Sequence, residues 1–198
     1  MAKTLKELRE EARGCQNCTL WANATQTVFG AGDPHARVML VGEQPGDEED
    51  KKGLPFVGPA GRLLDKALTE AGVDREHLYV TNAVKHFKWE LRGKRRLHKT
   101  PAQREIDACH QWLEAEVAAV KPQVIVCLGS TAAKAVISKS FKVSTQRGQF
   151  VENHLAPYVF ATLHPSALLR VQEEADRELA FKQFVRDLSL IEKALVRD

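Results

Sequence analysis

The chain has 198 residues, of which 43% are hydrophobic, and its formal net charge at neutral pH is +3. This length and composition suffice to bury one sizeable core, so we expect a single domain over residues 1–198. No stretch approaches the roughly 20 apolar residues of a membrane-spanning helix, and the charged start MAKTLKELREEARG has no apolar signal core. We therefore expect a cytoplasmic protein with no membrane partner, and we expect it to be monomeric.

Four short apolar runs, rich in β-branched residues, predict the buried strands of a parallel sheet. In chain order they are VMLVG at 38–42, LYVTN at 78–82, VIVCLG at 124–129 and YVFATLH at 158–164. Helical patterns with one apolar stripe lie between them, near residues 63–71 and 106–120. The alternation predicts a three-layer α/β/α domain with a central, mainly parallel four-stranded sheet.

Two details of the helices also follow from the pattern. Thr100 is the expected cap of the second helix, because Pro101 suits a first helical turn. A final helix is predicted from Glu173 to Val196. It is expected to bury four apolar side chains, which are Leu179, Phe184, Leu188 and Ile191.

Four cysteines indicate a metal or cluster site, because disulfides are rare in a reducing cytoplasm. Cys15 and Cys18 form a CxxC pair, whose two sulfurs lie close enough to share a metal. Cys109 lies on the apolar stripe of a helix and Cys127 ends a buried strand, so each alone is more typical of a core cysteine. A zinc ribbon usually has a second CxxC, but the spacing by itself leaves zinc and iron–sulfur both open.

The predicted sheet brings four loops to one edge, because ligands of such sheets bind beyond the carboxyl ends of the strands. The loops are GEQPGDEED at 42–50, NAVKHFKWELRGKRRLH at 82–98, GSTAAK at 129–134 and HPSALLR at 164–170. Each begins with residues that bind phosphate or do acid–base chemistry, so we expect one site. Residues 88–99 carry six basic side chains against Glu90, a local excess of +5. This run indicates contact with a phosphate backbone, although charge runs are more commonly solvated surface loops.

Several separated motifs resemble those of the uracil-DNA glycosylase superfamily. They are GEQPG followed by DEED, PFVGPAGRLLD at 55–65, and HPSALLR. The four cysteines resemble those of the iron–sulfur family 4 and 5 enzymes. Gln44 and the insert KRRLH at 94–98 resemble the UdgX branch, since the typical family 4 loop reads GEAPG and lacks the basic insert.

The resemblance covers Cys15 to Arg170 and implies an enzyme that excises uracil from DNA. Uracil-containing DNA, preferably single-stranded, is then the partner, and free uracil is a product. The implied cofactor is a [4Fe–4S] cluster with four cysteine ligands, namely Cys15, Cys18, Cys109 and Cys127.

The resemblance also assigns the groups that contact the base. Asn82 would pair with N3–H and O4 of a uracil flipped out of the DNA, and Phe56 would stack on its ring. His164 would donate a hydrogen bond to uracil O2 as negative charge develops there. Without the resemblance, Asn82 is typical of a turn, Phe56 of a core residue and His164 of a structural histidine. The other expected binding residues are Gly42, Gln44, Ser130, Ser166, Arg170, Lys94, Arg95 and Arg96.

Glu43 and Asp47 are the carboxylates expected on the sugar side, where they would stabilise an oxocarbenium-like C1′. The rest of the acidic run, Glu48 to Asp50, is expected to face solvent.

His98, which closes KRRLH, is the expected nucleophile by resemblance to the UdgX branch. Its imidazole would attack C1′ and remain bound to it, so that each molecule acts once. Composition alone favours a surface residue of a phosphate-binding loop. Two other functions stay open, namely a conventional glycosylase in which water leaves an abasic site, and a non-catalytic iron–sulfur protein that binds DNA.

Overall fold

The four apolar runs all form strands in the computed structural model, which describes residues 3–196. The strands are β1 (Ala31–Gly32), β2 (Val38–Gly42), β3 (Leu78–Asn82), β4 (Trp89–Arg92), β5 (Arg95–His98), β6 (Val124–Leu128) and β7 (Tyr158–Thr162). The helices are α1 (Leu5–Ala12), α2 (Asp47–Lys52), α3 (Pro59–Glu70), α4 (Gln103–Val120), α5 (Ser130–Val136), α6 (Val143–Gln146), α7 (Pro165–Leu169), α8 (Glu174–Leu188) and α9 (Leu190–Leu195).

The central sheet has the strand order β1-β3-β2-β6-β7. Strands β3, β2, β6 and β7 are parallel, which confirms the predicted three-layer fold, and β1 adds an antiparallel edge. β1 has two residues, too few for a periodic pattern. Its approach depends on glycine, because a Cβ on Gly32 would lie 2.0 Å from the Leu78 carbonyl oxygen.

Two apolar layers hold the sheet between the helices. Met39 and Val41 of β2 belong to the core under α4 and α5, whereas Val38 and Leu40 belong to the core under α3, α8 and α9. Every residue of β2, β3 and β6 is buried. Burial of each large apolar side chain among them contributes about 1.5–3 kcal/mol, so the sheet is a firm base for the loops at its edge.

The second long helix starts later than predicted. α4 begins at Gln103 with Ala102 as its cap residue, and Thr100 and Pro101 precede it. The Ala102 N–H donates to the buried Glu105 carboxylate at 2.6 Å, so a side chain from inside the helix supplies the cap.

The predicted final helix is broken at Ser189 into α8 and α9. Phe184, Leu188 and Ile191 are buried as predicted, but Leu179 is 56% exposed. Leu179 precedes Phe184 by five residues and Leu188 by nine, which turns it towards the opposite side of α8. Its predicted burial is therefore wrong.

The basic run forms a β-hairpin instead of an open loop. β4 and β5 pair antiparallel from Trp89 opposite His98 to Arg92 opposite Arg95. The hairpin returns the chain to its starting point, so His98 lies beside the base of β4.

Within residues 3–196, the helices are all too short or too polar to span a membrane.

The two leucines of α8 provide a test of these packing assignments. Leu188→Ala removes a fully buried side chain, so the free energy of unfolding should fall by about 2–5 kcal/mol. Leu179→Ala, the matched control, should change it by less than about 0.5 kcal/mol. Urea denaturation followed by circular dichroism measures both, and equal losses would contradict the assignment of Leu179 to the surface.

Candidate active site

The four loops line one cavity of about 310 Å³ beyond the carboxyl ends of the parallel strands. Nine of the expected site residues line it: Glu43, Gln44, Phe56, Asn82, His98, Ser130, His164, Ser166 and Arg170. Lys94 and Arg95 are exposed at the turn of the hairpin, away from this lining. The fold thus brings most of the expected site residues to one place.

Asn82 is held at the end of β3 by a buried ion pair. Its backbone carbonyl accepts a hydrogen bond from Lys85 Nζ at 2.6 Å, and Lys85 Nζ lies 2.6 Å from Glu116, with both side chains fully buried. The Asn82 Oδ1 atom is buried and has no hydrogen-bond partner among the described residues. An unsatisfied buried oxygen costs about 1–3 kcal/mol, so this acceptor is suited to a ligand N–H.

Phe56 and Asn82 meet at Gly42. A Cβ on Gly42 would lie 2.4 Å from Asn82 Oδ1 and 2.5 Å from the Phe56 ring, so only glycine permits their approach. Phe56 has a φ of 54°, which is unusual for a bulky residue and is typical of strain retained at functional sites. Its ring centroid lies 6.0 Å from that of His164, and both residues line the cavity.

His164 precedes α7, and its hydrogen bonds define its tautomer. Its Nδ1 accepts the Ser166 backbone N–H at 3.1 Å and lies 2.8 Å from Ser166 Oγ. Burial lowers the pKa of His164 to about 4; the Glu43 charge opposes this shift, whereas His98 and Arg170 add to it. The ring is therefore neutral at pH 7, and because Nδ1 is an acceptor, the proton is on Nε2.

Glu43 and His98 are in direct contact at the wall of the cavity. His98 Nε2 lies 2.8 Å from Glu43 Oε1, and Thr131 Oγ1 donates to Glu43 Oε2. Burial raises the pKa of Glu43, but hydrogen bonds from His98 and Thr131 outweigh it and leave the pKa below its ordinary value. Glu43 is thus a carboxylate at neutral pH, and Thr131 is a partner that the sequence analysis did not identify.

Gln44 closes the base of the hairpin. Its Nε2 donates to the carbonyls of Lys88 and Lys99 at 3.2 and 3.1 Å, and its Oε1 accepts the Lys88 N–H at 3.0 Å. Lys88 precedes β4 and Lys99 follows β5. Gln44 lines the cavity as expected, yet these polar contacts go to the backbone beside His98, which the alanine of a GEAPG loop cannot provide.

Arg96 anchors the middle of the hairpin. It donates to Asp47 and Asp50 at 2.6 Å each, and its guanidinium lies 5.4 Å from the Phe87 ring centroid and 5.3 Å from that of Trp89. The Arg96 guanidinium, which was expected to bind DNA phosphate, is therefore bonded to carboxylates of the protein itself.

Asp47, the second expected catalytic carboxylate, lies outside the cavity lining. Partial burial raises its pKa, but hydrogen bonds from Lys51 and Arg96 outweigh this and lower it.

The acidic run contains two buried carboxylates, so its predicted solvent exposure is wrong for Glu49 and Asp50. Glu49 Oε1 accepts the backbone N–H groups of Val57 and Gly58 at 3.0 and 2.7 Å, and Glu49 also lines the cavity. Asp50 is fully buried beside Arg96. A charge run gives no sign of such partners, because they come from distant parts of the chain.

Three of the four cysteines lie along the same side of α4. Cys18 and Cys109 share a hydrogen bond, which lowers the pKa of Cys18 to about 6. Cys15 Sγ accepts the Trp112 indole N–H at 3.2 Å, three residues along α4 from Cys109. The Lys85 backbone N–H lies 3.5 Å from Cys109 Sγ.

Cys127 is placed elsewhere. It belongs to the core under α4 and α5, in register with Val41 and Ala161 of the neighbouring strands, whereas Cys18 and Cys109 share a separate cluster. Burial raises the pKa of its thiol. Across residues 3–196, no three His, Cys, Asp or Glu side chains are arranged to hold a single metal ion.

His86, to which the sequence analysis gave no role, presents an unpartnered nitrogen in this region. Its Nε2 lies 2.9 Å from Thr27 Oγ1, and that hydroxyl donates to the Ala12 carbonyl at 2.9 Å. The hydroxyl must therefore accept from Nε2–H, which leaves a lone pair on Nδ1. Nδ1 is buried, and no described residue is its hydrogen-bond partner.

Comparison with known proteins agrees with this geometry. A family model of the uracil DNA glycosylase superfamily matches residues 29–189. The type-4 uracil-DNA glycosylase of Thermotoga maritima is 36% identical over 185 residues, which cover 93% of each chain. That of Archaeoglobus fulgidus is 33% identical over 189 residues, covering 91% of this chain and 92% of the relative. The type-5 uracil-DNA glycosylase of Pyrobaculum aerophilum is 32% identical over 165 residues, covering 75% and 69%. The chain therefore belongs to the uracil DNA glycosylase superfamily.

Proposed function

We propose that the chain is a uracil-DNA glycosylase of the UdgX branch, which excises uracil and becomes covalently bound to the deoxyribose through His98. The observation that carries the proposal is the 2.8 Å approach of His98 to the Glu43 carboxylate in the cavity. The names of the relatives support excision of uracil from DNA. Gln44, whose contacts hold the hairpin that carries His98, supports the covalent outcome.

Base recognition follows from the unpartnered Asn82 oxygen. Oδ1 accepts N3–H of a flipped uracil, and the amide nitrogen donates to O4. Cytosine has the reverse pattern, with an acceptor at N3 and a donor at N4, so it leaves both groups unsatisfied. Phe56 stacks on the ring.

Departure of the base uses His164. The neutral ring donates its Nε2–H to uracil O2, which stabilises the negative charge as the glycosidic bond breaks. Ser166 and Arg170 lie beside it, with Arg170 Nη2 3.4 Å from Ser166 Oγ, and bind the neighbouring phosphate.

The sugar reacts beside the Glu43–His98 pair. The carboxylate stabilises positive charge at C1′, and an imidazole lone pair forms a bond to C1′ while the electrons of the C1′–N1 bond leave with uracil. The remaining ring proton then passes to Glu43 or to solvent. The N-glycosyl imidazole has no easy hydrolytic exit, so the reaction ends after one turnover.

The covalent step is tested with uracil-containing single-stranded DNA on a denaturing gel. The unmodified protein should give a shifted band, and His98→Ala should give none but should release uracil and leave an abasic site, because water replaces the imidazole. His110→Ala, a partly exposed histidine of α4, is the control and should keep the band. Uracil release without a band from the unmodified protein would mean a conventional glycosylase, and no release at all would mean a binding protein.

The clamp at the hairpin base is tested with Gln44→Ala. The hairpin loses three hydrogen bonds of about 0.5–1.5 kcal/mol each, so adduct formation should slow about tenfold or more. Abasic product should increase in proportion as water competes with a displaced His98. Gln103→Ala removes a partly exposed glutamine of α4 and should leave the adduct rate unchanged. An unaltered rate in Gln44→Ala would contradict the clamp.

We also propose that the cysteine-rich region holds a [4Fe–4S] cluster on Cys15, Cys18, Cys109 and His86. The ligands of such a cluster bind four separate irons, so they need not converge as around a single ion. Histidine replaces cysteine in some iron–sulfur centres, and a hydrogen bond on its other nitrogen orients it, as Thr27 does for His86. His86 therefore replaces Cys127 as the proposed fourth ligand. The cluster is structural and ties the amino-terminal segment to α4.

Iron content and colour test this ligand set. Cys127→Ala should keep the iron and the broad visible absorbance of the purified protein, because its side chain packs in the core. His86→Ala should lose most of the iron, and His86→Cys should retain it. Loss of the cluster in Cys127→Ala with retention in His86→Ala would instead favour Cys127 as the fourth ligand. A colourless, zinc-loaded protein would exclude an iron–sulfur cluster.

A further inference from the structure

Thr131, the second residue of α5, makes a contact that the proposed reaction does not yet use. Its side-chain hydroxyl lies 2.5 Å from Glu43 Oε2, and the residue is only 7% exposed. The other oxygen of the same carboxylate, Oε1, lies 2.8 Å from His98 Nε2. Each oxygen of Glu43 thus has one partner, a hydroxyl on a helix and an imidazole on the hairpin.

We propose that Thr131 is a positioning residue that keeps the Glu43 carboxylate ionised and in one orientation, with Oε1 directed at His98 and the reacting sugar. The inference rests on the proposed excision reaction and adds a residue to it. Thr131 is suited to this role because β-branching restricts its χ1 angle within the helix. α5 is itself attached to β7, since the Gly129 N–H donates to the Thr162 carbonyl at 2.9 Å.

The two hydrogen bonds to Glu43 differ in what happens to them during the reaction. The contact with His98 changes when the imidazole engages C1′, whereas nothing in the reaction displaces the Thr131 hydroxyl. Charge-assisted hydrogen bonds are roughly twice as strong as neutral ones, so the hydroxyl stabilises the carboxylate throughout the step. Thr131 is the constant partner of the pair.

The other ionisable groups around Glu43 come from three elements. They are His98 of β5, Glu49 of α2, and His164 and Arg170 at the two ends of α7. Among the causes of the Glu43 pKa, burial raises it, and the hydrogen bonds from His98 and Thr131 lower it below its ordinary value. Without the hydroxyl the pKa of Glu43 rises, so the carboxylate takes up a proton at higher pH. Activity that requires the carboxylate is then lost at a higher pH than in the parent.

The test compares Thr131→Val, which keeps the shape and removes the hydroxyl, with Thr131→Ser, which keeps the hydroxyl. Uracil release from single-stranded DNA is followed in a single turnover from about pH 4 to pH 8. The profiles are repeated in the His98→Ala background, so that Glu43 is the ionisable member of the pair that remains. Thr145→Val, an exposed threonine of α6, is the control.

In Thr131→Val we expect release at neutral pH to slow about tenfold, with the acid limb about one pH unit higher and little change in the DNA concentration that gives half the maximal rate. Thr131→Ser should bring the rate of release, and the acid dissociation constant given by the acid limb, to within about twofold of the parent's values. An acid limb and rate equal to the parent's in Thr131→Val would overturn the proposal, and so would an equal loss in Thr131→Ser.

A ¹³C NMR titration of the Glu43 carboxyl, assigned with Glu43→Gln, reports its ionisation independently of catalysis. Thr131→Val should raise its midpoint, and an unchanged midpoint would overturn the proposal; Thr131→Ala replaces Thr131→Val if the latter does not fold. A parent protein that releases no uracil would refute the excision reaction and the positioning role in it. A raised Glu43 midpoint in Thr131→Val would, in that case, still support the effect of the contact on the ionisation of Glu43.

Discussion

The attachment of one small hairpin to the α/β body governs where the proposed nucleophile lies. A two-stranded hairpin is marginally stable alone, so β4 and β5 depend on contacts with the rest of the chain. Gln44 bonds to the backbone at its open end, and Arg96 is held midway by Asp47 and Asp50. His98 lies between these two attachments, and its distance from Glu43 follows from them.

The segment after β2 supplies both of these attachments. Glu43 faces the cavity, Gln44 holds the hairpin base, and the carboxylates of Asp47 and Asp50 hold Arg96. Glu49 turns the other way and accepts backbone N–H groups from the loop that carries Phe56. One acidic loop therefore orders both walls of the cavity. Replacement of its charges should disturb the site at a distance from the atoms that react.

The fold and the location of the site were predictable, because both follow from patterns that lie within short stretches of sequence. Fully buried parallel strands are unbroken runs of β-branched residues, and their carboxyl ends define the crevice. The ion pair between Asp50 and Arg96 was not predictable. A run of charged residues has the same sequence pattern whether its side chains face water or pair with a distant charged group. Cys127 and His86 illustrate the same limit. The buried Cys127 thiol lies in the core, and the buried His86 imidazole directly follows Lys85, whose backbone N–H contacts the Cys109 thiol.

Three histidines of this chain illustrate how the partner of one ring nitrogen decides the use of the other. In His164 a backbone N–H occupies Nδ1, so Nε2 is a donor, which the proposed reaction uses on the leaving base. In His86 the threonine hydroxyl can only accept, so Nε2 keeps the proton and Nδ1 keeps a lone pair that a metal can use. In His98 the partner is a carboxylate, which can take a proton as the ring becomes cationic. The same side chain is thus proposed as a hydrogen-bond donor, a ligand or a nucleophile according to a single neighbouring group, which is why residue type alone could not assign the three roles.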